Sequence, residues 1–302
     1  MENRKHYAAG ILAFVIWGFF SIPLRALSEY SSGEILYFRI LFSLMVLAVI
    51  IFGFRRKQLR EEWLKLKSLP PPQKKNMISL TLVGGALLTV NWLIFIYIVN
   101  NVNIKTASFA YLVCPVMTAV LGYVLIKEKL SQTQWIAVAL CALSCGLVGL
   151  SSWIELAYSF FTALTYALYL ISQRKNQGFD RVIVLGVQVL FSFLMLSVMY
   201  RFLVQAVPAA TEFYVIILVI AAVFTVFPLF LNLFALNRIN SATIGILMYL
   251  NPVFNFSVAF LVFKEKVTAL QLLGYAIIVL ALILFNYQNF RKLYSVLSTQ
   301  KA

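Results

Sequence analysis

The feature that most constrains this chain is a series of ten apolar segments that fill nearly all of its 302 residues. Apolar residues make up 62% of the sequence and charged residues 12%, too little charge to cover a water-soluble surface. Because a membrane-spanning helix needs about 20 mostly apolar residues, we predict spans at roughly 7–27, 33–54, 77–99, 104–126, 131–150, 155–174, 180–204, 211–236, 241–263 and 268–288.

The second half of the sequence repeats the first at a constant offset of 137 residues. Polar and charged landmarks keep one register: Pro115, Lys127-Glu128-Lys129 and Asn100 recur as Pro252, Lys264-Glu265-Lys266 and Asn237. Five spans per repeat is an odd number, so the repeats must enter the membrane in opposite orientations. We therefore predict an all-α membrane protein with ten transmembrane helices in two inverted five-helix repeats, at residues 1–150 and 151–290, followed by a cytoplasmic tail at 291–302.

The net charge of +15 follows membrane topology rather than a nucleic-acid-binding face. With the N-terminus inside, most of the 25 lysines and arginines fall on the cytoplasmic side. The positive-inside rule then predicts that both termini are cytoplasmic. The partners expected from this pattern are the lipid bilayer and a small-molecule substrate, with no nucleic acid and with the oligomeric state left open.

Residues 55–76 form the one long loop between predicted spans. Leu59, Trp63 and Leu66 recur at helical spacing among basic residues, before three consecutive prolines at 70–72. This pattern suits a short helix on the cytoplasmic lipid surface. A solvated basic linker that only sets topology is the alternative.

Polar and aromatic side chains within the spans mark either a water-accessible cavity or contacts between helices, because unpaired polar groups are costly in hydrocarbon. Aromatic rings could stack on a solute while asparagines supply donors and acceptors. The candidate substrate-cavity residues are Trp17, Asn91, Trp92, Tyr111, Pro115, Tyr166, Asn232, Tyr249, Asn251 and Pro252. The competing interpretation makes the aromatic residues interface anchors and the asparagines interhelical hydrogen-bond donors.

Two of these candidates, Pro115 and Pro252, each lie about 11 residues into a span, or about 16 Å from its start at 1.5 Å per residue. Both are therefore predicted near the midplane. A proline there frees a carbonyl one turn earlier and bends the helix, which favours a hinge or a binding site. Prolines of purely structural function remain the alternative.

Arg39 is the one basic residue predicted well inside a span. It is a candidate gating or ion-pairing residue that would bind Glu34, Glu155 or a solute carboxylate. Alternatively, its long side chain snorkels to the membrane interface. The spans lack an acidic residue at their centres, so proton coupling through a buried carboxylate has no support in the sequence.

Residue types suited to catalysis are scarce. His6 is the single histidine and lies outside the predicted spans, and the three cysteines fall inside spans, where they pack as small apolar residues. We therefore predict no metal, no cofactor and no enzymatic activity.

Four features of the sequence point to a known family: the run from Asn91-Trp92 to Asn101, the stretch Ala107-Ser108 to Pro115, the segment from Glu34 to Arg39, and the Lys-Glu-Lys turns. They closely resemble the RarD-like, chloramphenicol-sensitivity subgroup of the EamA transporters, in the drug/metabolite transporter superfamily. The resemblance covers almost the whole chain. It implies an inverted-repeat bundle in a bacterial cytoplasmic membrane, with a central cavity lined by the first, third, fourth, sixth, eighth and ninth spans.

The leading functional hypothesis is a permease, as an exporter of small organic metabolites or amphipathic drugs that works by alternating access around a midplane cavity. A membrane scaffold or regulatory partner without transport activity is the alternative. Silent cavity variants combined with a phenotype from cytoplasmic-loop variants would favour the scaffold.

Overall fold

The computed structural model describes residues 2–176, 178–236 and 247–287, and their regular secondary structure is entirely helical. The helices in chain order are α1 (Glu2–Gly18), α2 (Ser21–Arg25), α3 (Ser32–Phe54), α4 (Arg56–Ser68), α5 (Pro71–Asn101), α6 (Ile104–Ile126), α7 (Gln132–Ser151), α8 (Trp153–Lys175), α9 (Arg181–Val198), α10 (Tyr200–Leu203), α11 (Thr211–Ala221), α12 (Phe227–Leu236), α13 (Leu250–Ser257) and α14 (Ala269–Phe285). Two π-helical segments, π1 (Ala222–Val226) and π2 (Val258–Val262), directly follow α11 and α13.

Within the described residues, eight helical stretches are long and apolar enough to cross a membrane: Lys5–Arg25, Ser32–Phe54, Pro71–Asn101, Ile104–Ile126, Gln132–Ser151, Trp153–Lys175, Arg181–Val198 and Thr211–Asn232. Two shorter apolar helices, Leu250–Val262 and Ala269–Phe285, coincide with the ninth and tenth predicted spans. The described part of the chain is thus all-helical, with helices of the length and composition expected of a multi-pass membrane protein. The complete ten-helix inverted repeat stays a prediction, and the repeated Asn237 and the tail at 291–302 lie outside the described residues.

Side-chain caps fix where several of these helices begin. Ser31, Ser131 and Thr268 each accept a hydrogen bond from the backbone N–H three residues later, and the Glu or Gln at that position bonds back. Such capping boxes satisfy two otherwise unpaired donors at a helix start. Short polar connections therefore separate the apolar helices at defined residues.

Helix packing brings the two halves of the chain together. In each half the first long helix packs on elements of the other half: α1 contacts α12 and α13, while α8 contacts α5 and α6. Further pairs that cross between the halves are α3 with α9, α7 with α14, and α6 with α13.

Two large apolar clusters lie between these helices. One centres on α3, α5, α9 and α11, with Ile35, Ile96 and Ile217 fully enclosed. The other joins α6, α7, α8 and α14, around Cys114 and Ile278. Many large apolar side chains on the outer surface stay exposed, as expected of a surface that faces lipid.

The loop predicted at residues 55–76 contains α4, a helix without buried side chains that ends before Pro70. Its Lys65 ammonium donates a hydrogen bond to the Gly178 carbonyl. At the start of α4, Arg55 pairs with Asp180 at 2.7 Å. A short helix is thus present, while its position on the lipid surface stays a prediction.

Candidate functional site

Arg39 lies at the centre of a group of aromatic side chains. Its side chain is enclosed, with only 3% of the residue exposed. The guanidinium carbon is 4.7 Å from the centroid of the Phe20 ring and 4.5 Å from that of Trp92. Its Nε donates a hydrogen bond to Thr225 Oγ1 at 3.3 Å. Arg39 therefore stays inside the helix bundle instead of extending to a membrane interface.

The carboxylates considered as partners of Arg39 are bonded elsewhere. Glu34 completes the capping box with Ser31 at the start of α3. Glu155 accepts hydrogen bonds from Asn103 Nδ2 at 3.0 Å and from Gln271 Nε2 at 2.9 Å. Within the described part of the chain, no ion pair includes Arg39.

A row of rings extends from this centre into α5, α6 and α8. Phe20, the residue directly before α2, contacts Phe95 of α5 at a centroid distance of 5.7 Å, and Phe95 contacts Tyr111 of α6 at 5.6 Å. Tyr111 in turn contacts Tyr166 of α8 at 5.6 Å. The structure therefore connects the predicted residues Arg39, Trp92, Tyr111 and Tyr166. Phe20, Phe95 and Thr225 complete the group, and sequence reasoning did not select them because buried Phe and Thr are ordinary in membrane helices.

Trp17 joins the same region through a backbone contact. Its indole Nε1 donates to the Phe224 carbonyl oxygen at 3.0 Å. Pro228, four residues later, has no N–H to pair with that carbonyl in a regular α-helix. The helix passes through the π1 segment here, and the tryptophan supplies a donor. The Phe224 ring also contacts the Phe20 ring, at a centroid distance of 5.8 Å. Phe224 therefore links Trp17 to Phe20, one of the rings that contact Arg39.

Asn91 connects two helices. Its Nδ2 donates to the Thr162 carbonyl at 2.8 Å and lies 3.1 Å from Thr165 Oγ1, which fixes α5 against α8. Its Oδ1 is buried without a hydrogen-bond partner among the described residues. The residue thus contributes to packing and also carries an unused acceptor.

The remaining predicted cavity residues occupy different surroundings. Pro115 lies inside the continuous helix α6, one turn after Tyr111, whereas Pro252 is the third residue of α13. Tyr249 accepts a hydrogen bond from Asn286 Nδ2 at 3.2 Å and packs against the same apolar cluster as Tyr166.

The last two residues of the candidate set lie on α12 and α13. The Asn251 carbonyl is 3.2 Å from where a Cβ on Gly18 would lie, so α1 packs closely on α13. Asn232 has a buried Oδ1 without a partner among the described residues.

A separate apolar groove of about 370 Å³ lies between α2 and α11. Its lining residues are Phe19, Ile22, Pro23, Ala26, Val215, Ile216, Val219 and Phe224, none of which belongs to the predicted set. The predicted midplane cavity remains a prediction.

The two Lys-Glu-Lys turns have the same backbone structure. Lys127 and Lys264 adopt left-handed conformations, with φ of 61° and 52°. The next amide closes the turn: Glu128 N–H donates to the Gly122 carbonyl at 3.2 Å, and Glu265 N–H donates to the Ala259 carbonyl at 3.0 Å. Each of these hydrogen bonds joins residues six positions apart, one more than in the Schellman motif, and the left-handed lysine directly before the donor marks the end of the helix.

Each glutamate of these turns forms an ion pair with the other half of the chain. Glu128 accepts two hydrogen bonds from Arg174 Nη1, at 2.8 and 3.1 Å, near the end of α8. Glu265 binds Arg25 Nη2 at 3.2 Å, at the end of α2. Its carboxylate also accepts the Ile104 and Lys105 backbone N–H groups, at 2.7 and 3.0 Å. These donors begin α6, where a carboxylate is favoured by unpaired amides and the helix dipole.

Comparison with known proteins agrees with this architecture. The sequence profile described as the EamA-like transporter family matches residues 4–150 and 153–287. A solved protein chain superposes with a TM-score of 0.63 over 94% of this chain and 97% of its own length, at 12% identity, which concerns the fold alone.

Curated relatives match along nearly the whole chain. An uncharacterized transporter of Pseudomonas aeruginosa is 29% identical, covering 96% of each chain. Proteins named RarD from Streptomyces exfoliatus and Escherichia coli are 28% and 27% identical, covering 96% and 94% of this chain and 90% and 94% of their own lengths. Relatives named as transporters point to a non-enzymatic role. Together, the two family matches and these full-length relatives show that the chain belongs to the EamA-like transporter family, as a RarD-like membrane transporter.

Proposed function

We propose that this transporter exports a small organic metabolite or amphipathic drug by alternating access between two inverted five-helix repeats. In this proposal both termini lie in the cytoplasm of a bacterial cell, and the substrate occupies a cavity at the midplane of the inner membrane. The residues around Arg39, Trp92, Tyr111 and Tyr166 line that cavity.

The observation that carries the proposal is the placement of the two ion pairs. Glu265 binds the amides at the start of α6, and Glu128 follows its end. The helix has 23 residues, so at 1.5 Å per residue the pairs are about 34 Å apart, close to the thickness of a bilayer core. Each pair joins a turn of one repeat to the first helical unit of the other.

The packing of the helices gives a second argument. Exchanging the two repeats converts the contacts of α1 with α12 and α13 into those of α8 with α5 and α6. A pseudo-twofold relation of this kind allows two related conformations in which the ends exchange roles.

Under this mechanism, opening one end of the bundle requires the ion pair at that end to separate while the ion pair at the other end stays formed. The predicted topology places Glu128–Arg174 at the cytoplasmic end and Arg25–Glu265 at the outer end. Substrate would enter after the cytoplasmic pair separates and leave after the outer pair separates.

Matched arginine variants test this mechanism. In a background with the three cysteines replaced by alanine, Tyr111→Cys provides a central thiol that a membrane-impermeant maleimide labels from either side. We expect Arg174→Gln to increase labelling from the cytoplasmic side and Arg25→Gln to increase it from the outside. Exchange of charges in Glu128→Arg with Arg174→Glu should restore the original labelling. If Arg174→Gln and Arg25→Gln both increased labelling from the same side of the membrane, alternating access would be contradicted.

The solute class and direction require transport measurements in proteoliposomes of defined orientation. A panel of amino acids, nucleosides, organic acids and amphipathic drugs should contain a class whose movement exceeds that in empty liposomes. Transport equal to empty liposomes for every class would contradict the proposal. The scaffold alternative would then gain support from a cellular phenotype of variants in α4.

A further inference from the structure

Arg39 is a buried cation that has no carboxylate partner among the residues that the structure describes. Its side chain is almost fully enclosed, and within the described residues it has one hydrogen bond, from Nε to Thr225. The Nη1 group is buried and has no hydrogen-bond partner there. A charged group removed from water normally acquires an opposite charge or a complete set of hydrogen bonds.

The acidic residues of the chain cannot readily supply that charge. The segments outside the described ranges, at 1, 177, 237–246 and 288–302, contain no Asp or Glu. Among the described acids, Glu34 is held by its capping box, while Glu155 and Glu265 bind lysine, arginine and amide donors. The missing counter-charge therefore points to a molecule that is not part of the polypeptide.

The surroundings of the guanidinium indicate which part of it stays available. Phe20 and Trp92 lie within cation–π distance and interact through their ring faces. Rings stabilise a cation but offer no lone pairs to its N–H groups. A planar guanidinium with unused N–H groups matches the two oxygens of a carboxylate.

The neighbouring rings describe the rest of the ligand. Phe95, Tyr111 and Tyr166 continue from Phe20 at centroid spacings of 5.6 and 5.7 Å, across α5, α6 and α8. Such a surface favours an apolar or planar body. Asn91 Oδ1, on the residue before Trp92, is also a buried acceptor without a partner among the described residues.

We infer that Arg39 binds the carboxylate of an organic anion whose aromatic or apolar body packs along the rings of Phe95, Tyr111 and Tyr166. This inference rests on the proposed transport function and adds a substrate class to it. The bound carboxylate neutralises the charge of Arg39. When the site is empty, that charge is uncompensated and favours binding of another anion.

Binding of a matched pair of probes tests the inference. The full-length protein in detergent is titrated with 3-phenylpropanoate and with its neutral amide, 3-phenylpropanamide, and both the dissociation constant and the melting temperature are measured. The carboxylate should bind the wild type and raise its melting temperature, and the amide should bind more weakly. Because Arg39→Met removes the charge-assisted hydrogen bonds to the carboxylate, it should weaken carboxylate binding roughly tenfold or more without affecting the amide.

Two further variants separate recognition from structural effects. Arg39→Lys keeps the charge without the fork of donors and should weaken carboxylate binding less than Arg39→Met. Arg201→Met removes a charge from an exposed position on α10 and should leave both probes unaffected.

Equal binding of both probes to the wild type, or unchanged carboxylate binding in Arg39→Met, would overturn the inference. Failure of the carboxylate to bind the wild type would also overturn it. The proposed alternating access would be unaffected by any of these three results, because its labelling test uses Arg25 and Arg174 and requires no ligand.

Discussion

The two Lys-Glu-Lys turns share a sequence and a backbone structure but differ in how firmly the rest of the protein holds them. The Glu265 side chain is 11% exposed and binds Arg25 together with two amides at the start of α6. The Glu128 side chain is 43% exposed and binds Arg174, whose own side chain is 48% exposed. One ion pair is thus enclosed by protein, and the other is largely open to solvent.

The difference teaches that a repeated motif specifies its local conformation, while neighbouring elements decide its energetic importance. The enclosed pair gains strength from low solvent screening and from extra hydrogen bonds. The open pair is weakened by water and salt. In the alternating-access proposal, this asymmetry makes the structure one in which the end at Glu265 is firmly closed and the end at Glu128 is easier to open.

The largest effect should follow Glu265→Gln. Loss of the carboxylate weakens the contact with Arg25 and removes an acceptor charge from the start of α6. We expect the free energy of unfolding in mixed micelles to fall by about 2–4 kcal/mol, as for disrupted buried ion pairs and charged hydrogen bonds. Glu212→Gln makes the same chemical change at an exposed position on α11 and should have little effect. If Glu265→Gln lowered the free energy of unfolding no more than Glu212→Gln does, the proposed difference between the two ion pairs would be contradicted.

A second contrast lies between the two capping boxes that contain a glutamine. Gln271 caps α14, donates to Glu155 and accepts from Lys105 Nζ at 3.2 Å. Gln134 caps α7 through its bond with Ser131. Gln271→Met should therefore lower the free energy of unfolding by about 1–3 kcal/mol, because it leaves buried polar partners unpaired. Gln134→Met should cost about 1 kcal/mol or less, and equal losses in denaturant titrations would contradict the difference.

A smaller effect is expected from Glu128→Gln. Exposed ion pairs contribute about 0–1 kcal/mol, so the unfolding free energy should change by less than about 1 kcal/mol. Raising the salt concentration should reduce the difference between this variant and the wild type, since salt screens exposed charges. A salt-independent loss comparable to that of Glu265→Gln would show that the two pairs are energetically equivalent.

The smallest effect is expected at the left-handed lysine that begins each Lys-Glu-Lys turn. Replacing Lys127 or Lys264 by glycine removes the steric strain that a side chain causes on a left-handed backbone. The resulting stabilisation is offset by the greater conformational freedom of glycine in the unfolded chain. Each variant should change stability by about 1 kcal/mol or less, with the same sign in both repeats. Lys129→Gly, outside the left-handed position, is the control and should give no gain in melting temperature. Opposite signs at Lys127 and Lys264 would contradict the shared backbone structure.

Sequence patterns were sufficient to locate most helices and their connections. The predicted spans at 33–54 and 104–126 match α3 and α6 within one residue. These boundaries follow from local causes, namely apolar length, polar turns and capping residues. Residues 241–246 of the ninth predicted span and residue 288 of the tenth lie outside the described residues, and the complete inverted repeat remains a proposal.

The candidate site could be predicted only in part. The sequence singled out Arg39, Trp92, Tyr111 and Tyr166 by their residue type inside apolar helices, and the structure connects them through ring contacts. It could not select Phe20, which nothing in its local sequence distinguishes from a packing residue, and Thr225 stood out only as one of several polar residues in its predicted span. Their significance arises from contact with a guanidinium distant in the chain.

The sequence by itself determined that this chain is a helical membrane protein with an internal duplication, because span length, charge distribution and turn chemistry are properties of short segments. Only the tertiary structure decided that Arg39 lies among rings with no ionic partner in the described part of the chain, and that Glu265 is enclosed while Glu128 is exposed. These properties depend on which distant helices pack together, since burial and the proximity of charges arise from the whole arrangement.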